Sequence, residues 1–449
     1  MPIIINDDES TNSLSNRNKL YRTLWRWHFY AGVFAIPFIL ILSVTGAIYL
    51  FKPQIDSFTD APYRELTLTG DRATAEKHIS AALNAVPNAS LSAYELPRAQ
   101  TDAVNILLNQ SGDKIRVFVD PNSLTILNIV NEKMRFINIV HDIHGELLSG
   151  TTGSILVELA ACWGIVLVLT GLYLWWPRSA RGFAGVLYPR LSKKGRVFWR
   201  DLHSVTGIWV SFFVLFLLIS GLPWAFVWGN AFKEFRQLTG TTQVSQDWNI
   251  AGEHAHHMEG VNADGGEDHS MHHQASLDKI ISNAQELNFA YPVLLTPPST
   301  KSHYWAVKSN AQNRMLRADA SIDPMSGEVI NQQNFSSRHV IDRAIGIGVA
   351  AHEGQLFGWF NQLLGLLTAC GLILMTVAGF ILWRKRAPEG VLGAPPVAPD
   401  ARLGKGFVAI ILLSAILLPL LGISLIIIAA LEFLFFARWQ KARVWLGLQ

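Results

Sequence analysis

The chain has 449 residues, half of them hydrophobic, with 15 Trp, two Cys and a formal net charge of +3. Its mean hydropathy is positive, which marks an integral membrane protein with enough polar sequence left for soluble segments. The basic residues gather beside apolar runs, the pattern of membrane-span flanks, and so exclude a nucleic-acid-binding class.

Residues 1–18 are polar and read as a disordered tail. A first membrane helix follows at 19–51, uncleaved because no small-residue cleavage site follows its long apolar part, with a kink expected at Pro37. Residues 52–143 form a soluble α+β module: an amphipathic helix over 71–86, strands in AVNILLN, KIRVFVDP and TILNIV, and a turn at Asp120-Pro121-Asn122. The segment 144–177 holds a histidine and a second helix, about 155–176. A basic loop, 178–202, leads to a third helix, 203–228. A second soluble module, 229–351, contains a helix at 276–287, strands in HYWAVKSN and MLRADASIDP, and a turn at Asp323-Pro324-Met325-Ser326-Gly327 before EVINQQN. Its insertion 254–273 is rich in His and Met. Residues 352–384 repeat the histidine and helix. A Pro/Gly-rich linker, 385–405, precedes a last apolar segment, 406–437, favoured as one long span over a hairpin broken at Pro419 and Gly422.

The chain is an internal duplication. A shift of 208 lays His144 on His352, Gly150 on Gly358, Cys162 on Cys370, Gly171 on Gly379 and Trp175 on Trp383. A shift of 175 lays His28 on His203, Gly32 on Gly207, Thr45 on Ser220 and Gly46 on Gly221. The predicted architecture is a membrane α-helical bundle of four core helices plus a C-terminal hydrophobic segment, with two soluble α+β domains. The cationic flanks (Arg17, Lys19, Arg22 and Arg26; the 178–202 loop; Arg384, Lys385 and Arg386) fall on one side, expected to be cytoplasmic.

On this topology His28 and His203 share one end of the bundle, and His144 and His352 the other. Facing helices of a bundle supply cofactor ligands in this way. Two neutral imidazoles on opposite sides of a macrocycle make a bis-histidine b-type haem, so two such haems are expected. Gly32, Gly46, Gly207 and Gly221 leave room for a porphyrin or a neighbouring helix. There is no C-x-x-C-H for covalent haem attachment. Cys162 and Cys370 read as small buried residues. His141, one turn before His144, is a reserve ligand or a support for it; His78 and His339 read as surface residues. Glu158, inside an apolar run, is either functional or exposed at the interface. His254, His256, His257 and Met258, with His269, Met271, His272 and His273, form a candidate metal-binding loop. No dinucleotide fingerprint occurs, so electrons must come from membrane quinol or a soluble reductase.

WRWHFYAGVFAIPFILILSVTGAIYLF, HGELL, GLYLWWPR and WRDLHSVTGIWV resemble the PepSY-associated transmembrane proteins, also called iron-regulated membrane proteins. The turns DPNSL, which lacks glycine, and DPMSG resemble those of PepSY domains. The resemblance covers residues 20–435. It implies a bacterial inner-membrane siderophore-iron reductase with two b-type haems held by His28, His203, His144 and His352, periplasmic PepSY domains, and a ferric siderophore or other ferric chelate as substrate. Two other classes compete with it: a membrane-tethered PepSY regulator of periplasmic peptidases, and a metal permease. The permease would need a polar path through helix centres that are nearly all apolar.

Overall fold

A computed structural model describes residues 7–177, 182–241, 275–300, 302–395, 405–436 and 438–448, with only the backbone for residues 7–17 and 407. The chain divides into two compact units: Met1–Ala47, Ile143–Arg236 and Leu364–Gln449 form a membrane unit, while Ile48–Asp142 and Gln237–Leu363 form a sheet unit. The candidate metal-binding loop, with His254, His256, His257, His269, His272 and His273, lies outside the described residues.

Among the described residues, five helices are long and apolar enough to cross a membrane. The first, α1 (Asp7–Tyr49), starts within the stretch read as a disordered tail, because extending a helix already nucleated by an apolar span is easy. After α1, the sheet unit's first half runs α2 (Lys52–Thr59), α3 (Ala75–Ala85), β1 (Ser90–Glu95), β2 (Val104–Gln110), β3 (Asp113–Val119) and β4 (Ile126–Asn131). A short helix, α4 (Phe136–Glu146), carries His144 and leads to the span α5 (Gly150–Trp175).

The third span, α6 (Arg196–Gly221), begins seven residues before the expected start at 203 and ends in a turn containing Pro223. The chain then restarts as α7 (Phe226–Leu238). The second half of the sheet unit is α8 (Leu277–Glu286), β5 (Val293–Thr296), β6 (Trp305–Ser309), β7 (Ala318–Ile322) and β8 (Val329–Asn334). Another short helix, α9 (Val340–His352), ends on His352 and precedes the span α10 (Trp359–Arg386).

The expectation of two soluble domains is corrected. The eight strands make one sheet in the order β4-β3-β2-β1-β5-β6-β7-β8. β1 and β5, neither of them read as a strand from sequence, are the seam, with Tyr94 opposite Leu295 and Glu95 opposite Leu294. One core serves both halves: Ala82, Ile106, Leu108 and Val117 join Ile280, Leu295, Val307 and Ile322. The two helices cap each other across the seam. The Ala75 amide donates to Asp278 Oδ1 (2.9 Å), and the Leu277 amide donates to Glu76 Oε1 (3.0 Å). Each carboxylate thus satisfies a first-turn N–H that its own helix leaves unpaired.

His78 and His339 are not ordinary surface residues. The His339 side chain caps α9 by accepting from the Ile341 amide. His78 is fully buried on α3, its Nε2 2.9 Å from the Pro121 carbonyl. Burial pushes its pKa below the ordinary 6.5, against the opposing pull of the Pro121 bond. An imidazole held neutral in the fold contributes stability that is whole above pH 6.5 and is lost as pH falls from there toward the folded pKa. Amide-exchange protection of the sheet should therefore be lower at about pH 5.5 than at about pH 7.5. A His78→Gln variant keeps a donor for Pro121 and should flatten that slope; a slope unchanged by the variant would rule out His78 as its source.

The last apolar segment is not one long span. It breaks at Leu418 into α11 (Lys405–Leu417) and α12 (Pro419–Leu431), because Pro419 has no N–H to continue the helix. The final helix, α13 (Gln440–Leu446), returns to the end of the unit that the segment left. Leu392 donates its amide to the Trp445 carbonyl, and the Tyr30 hydroxyl donates to the Leu446 carbonyl. The segment is a hairpin, with Arg438, Lys441 and Arg443 at its returning end. Its tip packs Leu418 and Leu421 against Cys162 and Leu222. Cys162 is therefore buried as expected. Cys370 is exposed, contrary to expectation, since the hairpin tip covers Cys162.

Candidate functional site: a histidine pair in the membrane unit

α1 and α5 run antiparallel, since His28 at the middle of α1 meets Thr170 near the end of α5, while Thr45 near the end of α1 meets His144 just before α5 begins. α6 and α10 are likewise antiparallel, with His203 meeting Met375. The basic starts of α1 and α6 and the Arg384-Lys385-Arg386 end of α10 thus share one end of the unit, and the structure brings His28 and His203 together there. Their ring centroids lie 6.2 Å apart with planes at 81°.

Each ring is held at its Nδ1 edge. His28 Nδ1 is 3.0 Å from Thr170 Oγ1, and His203 Nδ1 is 2.8 Å from the Met375 carbonyl. A carbonyl only accepts, so His203 carries its proton on Nδ1. The Thr170 hydroxyl already donates to the Val166 carbonyl (2.6 Å), so it too accepts from an Nδ1–H. Both imidazoles therefore present a bare Nε2, the form that ligates a metal.

A glycine seats each ring. A Cβ at Gly171 would lie 3.1 Å from His28 Cε1, and one at Gly379 would lie 3.1 Å from His203 Nδ1. Sequence reading found these glycines in register but gave them no role. Gly32 and Gly207 instead admit neighbouring side chains, Leu167 at 3.8 Å and Met375 at 3.2 Å.

His144 repeats the device with Thr45 and Gly46. Its Nδ1 is 3.0 Å from Thr45 Oγ1, whose hydroxyl donates to the Ile41 carbonyl (2.8 Å), and a Gly46 Cβ would lie 3.1 Å from its Cε1. His144 and His352 do not stand on the spans, as the sequence suggested, but on α4 and α9. Positive φ at Leu147, Leu148 and Gly150 ends the first, and positive φ at Gly354 and Gly358 follows the second. Gly153 lets α5 close against the Glu146 carbonyl, while at the equivalent position Asn361 donates to the Ala351 carbonyl (2.9 Å). His144 belongs to the membrane unit and His352 to the sheet unit. His141 packs on the Tyr49 ring at 5.4 Å, with Nδ1 3.3 Å from Asp142.

Glu158 is buried rather than exposed at an interface. It accepts from the amides of Val227 (2.7 Å) and Trp228 (3.0 Å), capping the first turn of α7. The helix N-terminus offsets the cost of a carboxylate inside the bundle.

A metal bonded to two imidazole nitrogens at about 2 Å each, with the ring centres about 1 Å further out, sets the centroids about 6 Å apart. The His28–His203 pair matches that spacing. Among the described residues no group of three His, Cys, Asp or Glu converges as a metal site. A two-imidazole donor set suits a metal whose other ligands come from its own macrocycle.

A family model described as the PepSY-associated TM region matches residues 25–386. No curated protein matches the chain.

Proposed function

The chain belongs to the PepSY-associated transmembrane family, and from that membership and the histidine pair we propose that it is a haem-b electron carrier of the bacterial inner membrane that reduces a ferric chelate. The observation that carries this reading is the 6.2 Å spacing of His28 and His203, both turned to present Nε2. Bound there, haem supplies reversible one-electron chemistry. The chain's own part is to hold the axial nitrogens in one tautomer, keep water out with apolar spans, and position donor and acceptor. The second pair, His144 and His352, is assigned from the duplication alone.

The proposed orientation places the basic end in the cytoplasm and the sheet unit in the periplasm. Quinol or a cytoplasmic reductase supplies the electron, and a ferric siderophore or other ferric chelate accepts it. Fe(III) prefers hard oxygen ligands more strongly than Fe(II), so one electron loosens the metal from its chelator.

The test is the reduced-minus-oxidised spectrum and haem content of the purified full-length protein. Two b-type haems per chain are expected. Colourless protein with no haem would favour the competing reading as a membrane-tethered peptidase regulator.

A further inference from the structure

The two spans that meet His28 and His203 do not hold their imidazoles alike. Under the 208-residue shift, Thr170 falls on Ala378 and Leu167 on Met375. In the second copy, where alanine leaves the backbone bare, His203 donates straight to the Met375 carbonyl. In the first copy His28 also meets the Leu167 carbonyl, and a hydroxyl is added beside it. His28 donates to Thr170 Oγ1, and the Thr170 hydroxyl passes the bond on to Val166 (2.6 Å), with Leu167 a longer second acceptor at 3.2 Å. Thr45 builds the same relay for His144, ending on the Ile41 carbonyl. Each relay is part of a Thr-Gly dipeptide in which the glycine gives the ring its seat and the threonine gives its proton an acceptor.

We propose that Thr170 and Thr45 are positioning residues that fix the tautomer and donor strength of His28 and His144, so that each tunes its own haem independently of the other. This rests on the haem reading above. The physical basis is general: an acceptor on the far nitrogen of a ligating imidazole locks its orientation and raises its basicity, and losing that acceptor typically weakens metal retention about 10- to 100-fold. A more basic axial ligand favours the ferric state, so removing the acceptor raises the reduction potential.

The experiment is a redox titration and a haem-retention assay on purified full-length wild type, Thr170→Val, Thr170→Ser and Thr45→Val. Valine keeps the shape of threonine without the oxygen. The expected result is that Thr170→Val shifts one of the two redox waves upward and weakens retention of that haem about tenfold or more, that Thr170→Ser restores both, and that Thr45→Val does the same to the other wave. A merely structural threonine would not select one wave or be rescued by serine. If Thr170→Val fails to fold, Thr45→Val alone carries the test. Waves that stay in place or fall, in protein that holds both haems, overturn this inference and leave the haem reading standing. Wild type without haem overturns both.

Discussion

A His203→Ala variant of the full-length protein is expected to hold one b-type haem where the wild type holds two. His203 supplies one of the two nitrogens at the basic end, and His28 alone cannot replace it. The ring of His203 is fixed by the Met375 carbonyl and seated on Gly379, so truncation removes a nitrogen held in one orientation. The rest of the span keeps its apolar surface, so the chain should still insert and the sheet unit should still fold. The measurement is haem per chain, read with the reduced-minus-oxidised spectrum. Two haems with an unaltered spectrum would falsify the ligand assignment.

The largest effect on stability is expected at Arg116. Its guanidinium lies on β3 between the carboxylates of Glu95 and Glu132 and is mostly withdrawn from solvent. Burial alone would lower its pKa; the two carboxylates outweigh that and leave it raised. Burial likewise pushes Glu132 upward, and Arg116 more than reverses it, so Glu132 ends below the ordinary 4.5. Arg116→Ala removes the cation shared by Glu95 and Glu132 and leaves Glu132 the more distant Arg135 at 3.8 Å, and removing one partner of such a mostly buried group costs roughly 3–5 kcal/mol. Amide exchange in β2, β3 and β4 of the full-length protein would report it, and a change below about 1 kcal/mol, the scale of an exposed pair, would refute the role. The sign with pH follows from the depressed Glu132: its contribution is present above pH 4.5 and is lost as pH falls through its folded pKa.

The histidine pair was legible in the sequence because duplication supplies an internal comparison. A shift that lays His28 on His203, with glycines falling on glycines, places two imidazoles at one depth. What holds them was less legible. Thr170 and Gly171 look like any small residues of a span until the ring of His28 is seen against them. The short helices carrying His144 and His352 were hidden because only a positive φ, at two leucines and three glycines, separates each from the span that follows. The seam of the sheet was missed because SLSAYE has weak alternation and VLLT is only four residues, and they pair across about 200 residues of chain. Glu158 could not be assigned from its place in an apolar run, since the helix it caps begins about 70 residues later.

A chain written twice from one pattern faces an ambiguity during assembly, because either copy of a span can attempt the berth meant for the other. The C-terminal hairpin, wedged at Leu418 and Leu421 beside Cys162 while Cys370 faces outward, breaks that degeneracy. It is an orientation key present once, and it gives the two halves separate addresses. Exchanged halves would leave the key without its slot, so the near-symmetric fold keeps a single registry.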